Sequence, residues 1–251
     1  MKTNALLLLF TIILYSCSKP SEKIVVATAA NVQYVMEEIK DAFEKESGKE
    51  IEIIVSSSGK LTAQIQQGAP YDVFVSADTK YPAEIYKNGG SDEAPKIYAS
   101  GQLVLWAINI PKDHLTLDSL QSNMIKKIAI PNPKFAPYGE AALEVLRKNP
   151  NFKKLETKLV YGESISQTAQ YITTGAAEIG FNALSIVLSL EMKSRGNWVL
   201  VDSTLYAPIH QSAILLKHSK TSIKRQSSKD FYDFLYSEKA KEIFKKYGYH
   251  S

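Results

Sequence analysis

From residue 24 onward, short runs of β-branched and aromatic residues alternate with segments of helical periodicity, and that alternation restricts the fold more than any other feature. Ile24-Val25-Val26-Ala27-Thr28 reads as a buried strand. It hands over through Ala29-Ala30-Asn31 to a segment that places Val32, Val35, Met36, Ile39 and Phe43 on one helical face. Gly48 is positioned to end that helix. A second β-rich run at 51–55 stops at Ser56-Ser57-Ser58, where a helix over about 60–67 begins. A strand at 72–77 and a short helix at 81–88, stopped by Gly89-Gly90, complete a β-α-β-α-β-α start. Strands spaced by helices in this way pair in parallel with the helices on the sheet faces, so the fold class is α/β.

The theme then restarts. Residues 102–108 form a long apolar strand candidate ended by Pro111. Ile128-Ala129-Ile130 leads through Ala136-Pro137-Tyr138-Gly139 to a helix at about 140–148, and Leu159-Val160-Tyr161 leads through Gly162-Glu163-Ser164 to a helix carrying Ile165, Ala169 and Ile172. Strands follow near Ile179, near 198–201 and at 213–216, and two amphipathic helices close the chain. Two rounds of one theme imply two lobes. With the last strand and helices returning to the first lobe, lobe 1 comprises 23–100 and 206–251 and lobe 2 comprises 101–205, joined by a two-segment hinge. Parallel strands in such lobes point their C-terminal ends at a crevice where ligands sit.

Residues 1–16 read as an export signal, with Lys2 as the charged start and an apolar core from Ala5 to Leu14 that is too short to span a membrane comfortably. Cys17 is the only cysteine, so an intrachain disulfide is impossible. Its place directly after the apolar core is similar to the lipobox of bacterial lipoproteins, where the cysteine is acylated and becomes the first residue. Residues 17–22 then serve as a lipidated tether to a membrane. The formal net charge of +4 is spread over interspersed acids and bases, and the C-terminal lysines alternate with Glu238 and Glu242 at helical spacing. No basic stripe argues for nucleic acid.

Strand-to-helix junctions carry the chemistry. Ala29-Ala30-Asn31, Ser57-Ser58-Gly59, Ala136-Pro137-Tyr138-Gly139 and Glu163-Ser164-Ile165 can each present backbone N–H groups at the positive end of a helix dipole, and Asn31, Ser58 and Tyr138 add side-chain donors. Lys60, one turn into a helix, is the one cation near a junction centre. Neutral donors in a dehydrated cleft suit a fully charged tetrahedral oxyanion. Asparagine and serine at these places are also ordinary helix caps, and Tyr138 an ordinary turn aromatic. Signals for an enzyme are weak: there is no G-x-S-x-G, no phosphate-binding G-x-x-x-x-G-K-[ST] and no H-E-x-x-H, and the four histidines are scattered, which argues against a metal-cation site. Asp72 and Asp78 flank one strand, where a turn and a cap explain them better than a catalytic pair.

Several blocks together resemble the molybdate-binding protein of bacterial molybdate ABC transporters. They are 24–39, Ser56-Ser57-Ser58-Gly59-Lys60-Leu61-Thr62-Ala63-Gln64-Ile65, Gly68-Ala69-Pro70-Tyr71-Asp72-Val73-Phe74-Val75-Ser76-Ala77-Asp78, Ile179-Gly180-Phe181-Asn182-Ala183-Leu184-Ser185, and the run from Phe231 to Tyr249. The resemblance implies a type II-like periplasmic-binding-protein fold that clamps molybdate or tungstate between its lobes, without a cofactor, and delivers it to a permease. It implies contacts from Asn31, Ser58, Tyr138 and the backbone N–H of Ile165. Some members carry a binding tyrosine near the position of Ala183. This chain lacks it, and Tyr138 is expected to reach the ligand from the other loop. An extracytoplasmic, lipid-anchored monomer is expected. Binding of sulfate, thiosulfate or phosphate, and an oxyanion-sensing lipoprotein, remain as alternatives. Glu163 is the nearest acceptor for a protonated phosphate, although it is expected to face solvent.

Overall fold

The computed structural model describes residues 23–218 and 221–250. The export signal at 1–16, the tether at 17–22 and Cys17 lie outside the described residues. The first sheet is built from β1 (Ile24–Ala29), β2 (Ile51–Ser56), β3 (Val73–Val75), β4 (Lys96–Gly101) and β10 (Ile209–Leu215), in the order β2-β1-β3-β10-β4. The second contains β5 (Leu103–Ala107), β6 (Ile128–Pro131), β7 (Leu159–Gly162), β8 (Ile179–Ala183) and β9 (Asn197–Leu200), in the order β7-β6-β8-β5-β9. The chain crosses between the sheets twice, through Gln102 on the way out and between β9 and β10 on the way back.

Both sheets are mixed. β1 pairs in parallel with β2 and β3, while β10 runs antiparallel between β3 and β4. In the second sheet β6 is parallel to β7 and β8, and β5 runs antiparallel to β8 and β9. β4 escaped the sequence reading because Lys96-Ile97-Tyr98-Ala99-Ser100-Gly101 has neither an unbroken apolar run nor strict alternation. It is defined by its partner β10, which itself begins four residues before the expected strand.

Most helices form where periodicity placed them, while the short helices at 152–156 and 184–187 are not among those expected from the sequence. α1 (Gln33–Ser47) buries Val35, Met36, Ile39 and Phe43, and Gly48 ends it at φ 68°, a left-handed conformation that glycine adopts without a Cβ clash. Phe43 meets Phe231 and Phe234 edge-on, with ring centroids 5.3 and 5.5 Å apart. The C-terminal helices α8 (Ser222–Phe234) and α9 (Glu238–Lys246) thereby return to the first sheet. The remaining helices are α2 (Ser58–Gln66), α3 (Lys80–Lys87), α4 (Pro137–Arg147), α5 (Phe152–Glu156), α6 (Ile165–Thr173) and α7 (Leu184–Val187). α4 starts three residues earlier than expected, because Pro137 suits a first helical turn, where its missing N–H costs nothing.

Candidate functional site

Register brings the junctions together. Ala29 pairs with Ser56, and Thr28 with both Val55 and Val75, so β1, β2 and β3 end side by side. Asn31, Ser57, Ser58 and Ala77 follow directly at that edge. In the second sheet Pro131 pairs with Gly162, which sets the starts of α4 and α6 at the facing edge. Between the two edges lies a small cavity lined by Ala29, Ala30, Asn31, Ser57, Ser58, Ala77, Ala136, Pro137, Tyr138 and Ile165. All four residues expected from the sequence line it, and no charged side chain does.

The first edge offers mainly side chains. Asn31 and Ser58 are only 2% and 1% exposed. Ser58 Oγ accepts the Ala77 N–H at 3.0 Å, which leaves its own proton to donate. Neither serine works as a helix cap: Ser57 occupies the cap position of α2 but makes no capping bond, and Ser58 is the first helical residue. Asn31 sits in a short 3₁₀ turn before α1 and does not cap it either. Buried polar atoms nearly always have partners, yet Asn31 Oδ1 and Ser57 Oγ have none. Two polar atoms without protein partners thus share one cavity wall.

The second edge offers mainly backbone. Ile165 is the first residue of α6, where an N–H has no intrahelical acceptor. Ser164 is the true cap of that helix, its Oγ accepting from Gln167 N–H at 3.3 Å. Tyr138 is buried in the first turn of α4, and its hydroxyl accepts from Gln211 Nε2 at 3.0 Å. Burial, with Tyr249 close by, pushes the Tyr138 phenol well above its ordinary value, so it is a neutral hydroxyl at any physiological pH. The starts of α2, α4 and α6 all meet the cavity and contribute positive dipole ends without a formal charge.

The rim is held shut by contacts between the two halves. Gly59 N–H donates to the Phe135 carbonyl at 2.9 Å, Ser166 Oγ to Gln33 Oε1 at 2.8 Å, and Ser185 Oγ to the Asn31 carbonyl at 2.7 Å. A Cβ on Gly59 would lie 2.7 Å from Tyr81 Oη and 2.9 Å from Phe135 Cα, so this approach requires glycine. Lys60 pairs with Glu163 across the gap at 2.5 Å. That pairing takes the nearest cation out of the cavity and leaves Glu163 at the surface as a rim contact rather than an acceptor within the site.

The two aspartates separate. Asp72 is fully buried at the start of β3, where it accepts from Val25 N–H at 2.8 Å and pairs with Lys224 Nζ at 3.0 Å, a structural role. Asp78 accepts from Ser76 Oγ at 3.0 Å and Tyr81 N–H at 3.2 Å. Burial pushes its carboxyl up to about 6 against the pull of those two bonds. Among the described residues no cluster of His, Cys, Asp or Glu could hold a metal cation.

Sequence reasoning missed Gln211 and Tyr249, which bond Asn31 from behind: Asn31 Nδ2 donates to Gln211 Oε1 at 2.8 Å and to Tyr249 Oη at 2.9 Å. The available signal was the period-two series Ile209, Gln211, Ala213, which sets a polar residue among inward-facing positions of a strand.

A family model for bacterial extracellular solute-binding proteins matches residues 24–250. The molybdate-binding protein ModA of Azotobacter vinelandii is 38% identical over 237 residues, which cover 94% of this chain and 93% of that protein. ModA of Rhodobacter capsulatus is 38% identical over 231 residues, covering 90% and 88%. The solved periplasmic molybdate-binding protein of A. vinelandii superposes with a TM-score of 0.84 at 33% identity, covering 91% of this chain and 99% of that one. Two α/β lobes, two crossovers and a cavity between strand ends constitute the type II periplasmic-binding-protein architecture, and the chain belongs to the bacterial extracellular solute-binding protein family that includes the molybdate-binding proteins.

Proposed function

We propose that this protein captures molybdate, and tungstate with it, outside the cytoplasm and delivers it to an ABC transporter permease. One observation carries the reading: four strand-to-helix junctions, two from each sheet, converge on a cavity without a charged side chain, where the free end of the Asn31 carboxamide and Ser57 Oγ lack protein partners. A dianion held by neutral donors suits that lining. A phosphate that keeps a proton would need an acceptor, and the nearest carboxylates, Asp78 and Glu163, do not line the cavity. The names of the relatives favour molybdate over sulfate, and because the two anions are alike in charge and shape, discrimination between them falls mainly to cavity size. The protein is a transport binding protein and not an enzyme.

In this reading Asn31 and Ser58 contact the oxyanion through their side chains and Tyr138 and Ile165 through backbone N–H groups at helix starts, the Tyr138 hydroxyl being engaged with Gln211. Residues 23–100 with 206–251 form one jaw and 101–205 the other, and Gly101 and the 201–208 segment are where they hinge. Acylation of Cys17 anchors a monomer to a membrane through the tether at 17–22, a step that metabolic labelling with a fatty acid checks against Cys17→Ser.

A thermal-shift panel tests the function. Molybdate or tungstate at 100 times its Kd should stabilise the protein by about 2.7 kcal/mol, a rise in Tm of about 5–10 °C for a chain of this size. Sulfate and phosphate at the same concentration should move Tm by less than about 1 °C. A larger shift with phosphate than with molybdate would overturn the assignment.

A further inference from the structure

Behind the cavity lies a buried polar network that the contacts named above do not explain. Gln211 is fully buried and bonds three groups at once. Its Oε1 is 2.8 Å from Asn31 Nδ2 and 2.7 Å from Tyr98 Oη, and its Nε2 is 3.0 Å from Tyr138 Oη. Asn31 belongs to the first jaw and Tyr138 to the second, and Gln211 lies on β10, just after the chain returns between the sheets. A Cβ on Gly101, the last residue of β4 beside the other crossover, would lie 2.0 Å from Tyr138 Oη and 2.4 Å from Gln211 Nε2, so these two side chains keep their places only against glycine.

The bonding pattern contains a choice of amide orientation. With Asn31 Nδ2 turned to Gln211 and Tyr249, both of its protons are spent and an unpaired oxygen is left beside the cavity. An oxygen there repels an anion. Half-rotations of both carboxamides keep every heavy-atom contact and reverse the donors. Gln211 Nε2 then donates to Asn31 Oδ1 and to Tyr98 Oη, and Tyr138 O–H donates to Gln211 Oε1. Tyr249 O–H turns from the Asn31 carbonyl and Ser185 Oγ, 3.1 and 3.0 Å away, to Asn31 Oδ1, the carbonyl keeping Ser185 Oγ as its donor. Tyr98 keeps its proton for the Ser76 carbonyl, 2.9 Å away. Every donor has an acceptor, and the Asn31 NH₂ is freed toward the cavity.

We infer that Gln211 is a positioning residue of the anion site: it turns the Asn31 amide so that its donor end meets the ligand, and through Tyr138 it couples that orientation to closure of the second jaw. The inference rests on the oxyanion reading of the cleft. Gln211 does not touch the ligand, and its effect passes through Asn31, whose orientation it links to Tyr138.

The test is a double-mutant cycle on molybdate affinity, measured by calorimetry with wild type, Gln211→Met, Asn31→Ala and the double variant, each checked for an intact melt. Gln211→Met should weaken binding about 10- to 100-fold in wild type, the scale of a lost charge-assisted bond, and by less than about 3-fold when Asn31 is already alanine. Equal effects in both backgrounds, or an effect under 2-fold in wild type, would overturn the inference. Wild type that binds no molybdate would instead overturn the oxyanion reading. A measurement on wild type alone covers the case in which Gln211→Met fails to fold. Molybdate should shift the ¹⁵N side-chain amide resonances of Asn31 and Gln211 together, and a shift confined to Asn31 would contradict the coupling.

Discussion

The two edges of the cleft solve one problem by different means. The first sheet presents hydroxyl and amide side chains, Asn31, Ser57 and Ser58, with buried atoms that lack protein partners. The second presents a helix start at Ile165 and a tyrosine whose hydroxyl is engaged with Gln211 of β10. Side chains can be removed one at a time, whereas a backbone N–H persists through most substitutions. On the proposed reading, the first edge is the place where affinity is set by residue identity, and the second is where it is set by geometry, that is, by how well α4 and α6 are carried against the first edge.

The sharpest way to break this contrast is Asn31→Asp. It keeps the shape but sets a carboxylate against an anion in a site without a cation, and at least a 1,000-fold loss of molybdate affinity is expected by calorimetry, about 4 kcal/mol or more. Retained binding would mean that Asn31 faces away from the ligand. Next comes a matched pair. Ser58→Ala should weaken binding by about 1–3 kcal/mol, a lost bond to a charged group, whereas Ile165→Val should leave affinity within about 3-fold because the donor is the main chain. Equal losses would erase the distinction between the edges.

A separate prediction, on stability rather than affinity, concerns Asp78 at the rim of the first edge. Its carboxyl stands at about 6 in the folded chain, above its unfolded value, so the folded state binds the proton more tightly. That contribution to stability is full below about pH 4 and is lost as pH rises from about 4 through 6, with a ceiling of about 3 kcal/mol before solvent screening. Asp78→Asn should flatten that pH dependence in chemical denaturation and leave the protein at least as stable at pH 7.5. An unchanged pH slope in the variant would remove Asp78 as its source.

The fold was largely legible because its two periodicities are strong. Val35, Met36, Ile39 and Phe43 mark α1 without help from tertiary structure, and Gly48 stops it. β4 was not legible, since Lys96 and Ile97 are exposed and only pairing with β10 makes that segment a strand. At the site, the convergence of Asn31, Ser58, Tyr138 and Ile165 could be read from the recurrence of strand-to-helix junctions. The division of labour between Ser57 and Ser58 could not. It depends on Ala77 N–H occupying Ser58 Oγ, a contact set by the β1–β3 register rather than by local sequence. Gln211 and Tyr249 were hidden for the same reason, being far from Asn31 in sequence and joined to it only by the packing of β10 and the C-terminal segment.

The central claim is that a cleft without charged side chains selects a large tetrahedral dianion by donor placement and size. Isothermal titration of the purified chain, lacking residues 1–16, with molybdate, tungstate, sulfate and phosphate tests it most directly. The account predicts one site per chain, with Kd at or below about 1 μM for molybdate and tungstate, about −8 kcal/mol or tighter. It predicts binding at least 100-fold weaker for sulfate and phosphate. Sulfate affinity equal to that for molybdate, or tight binding of phosphate alone, would contradict it.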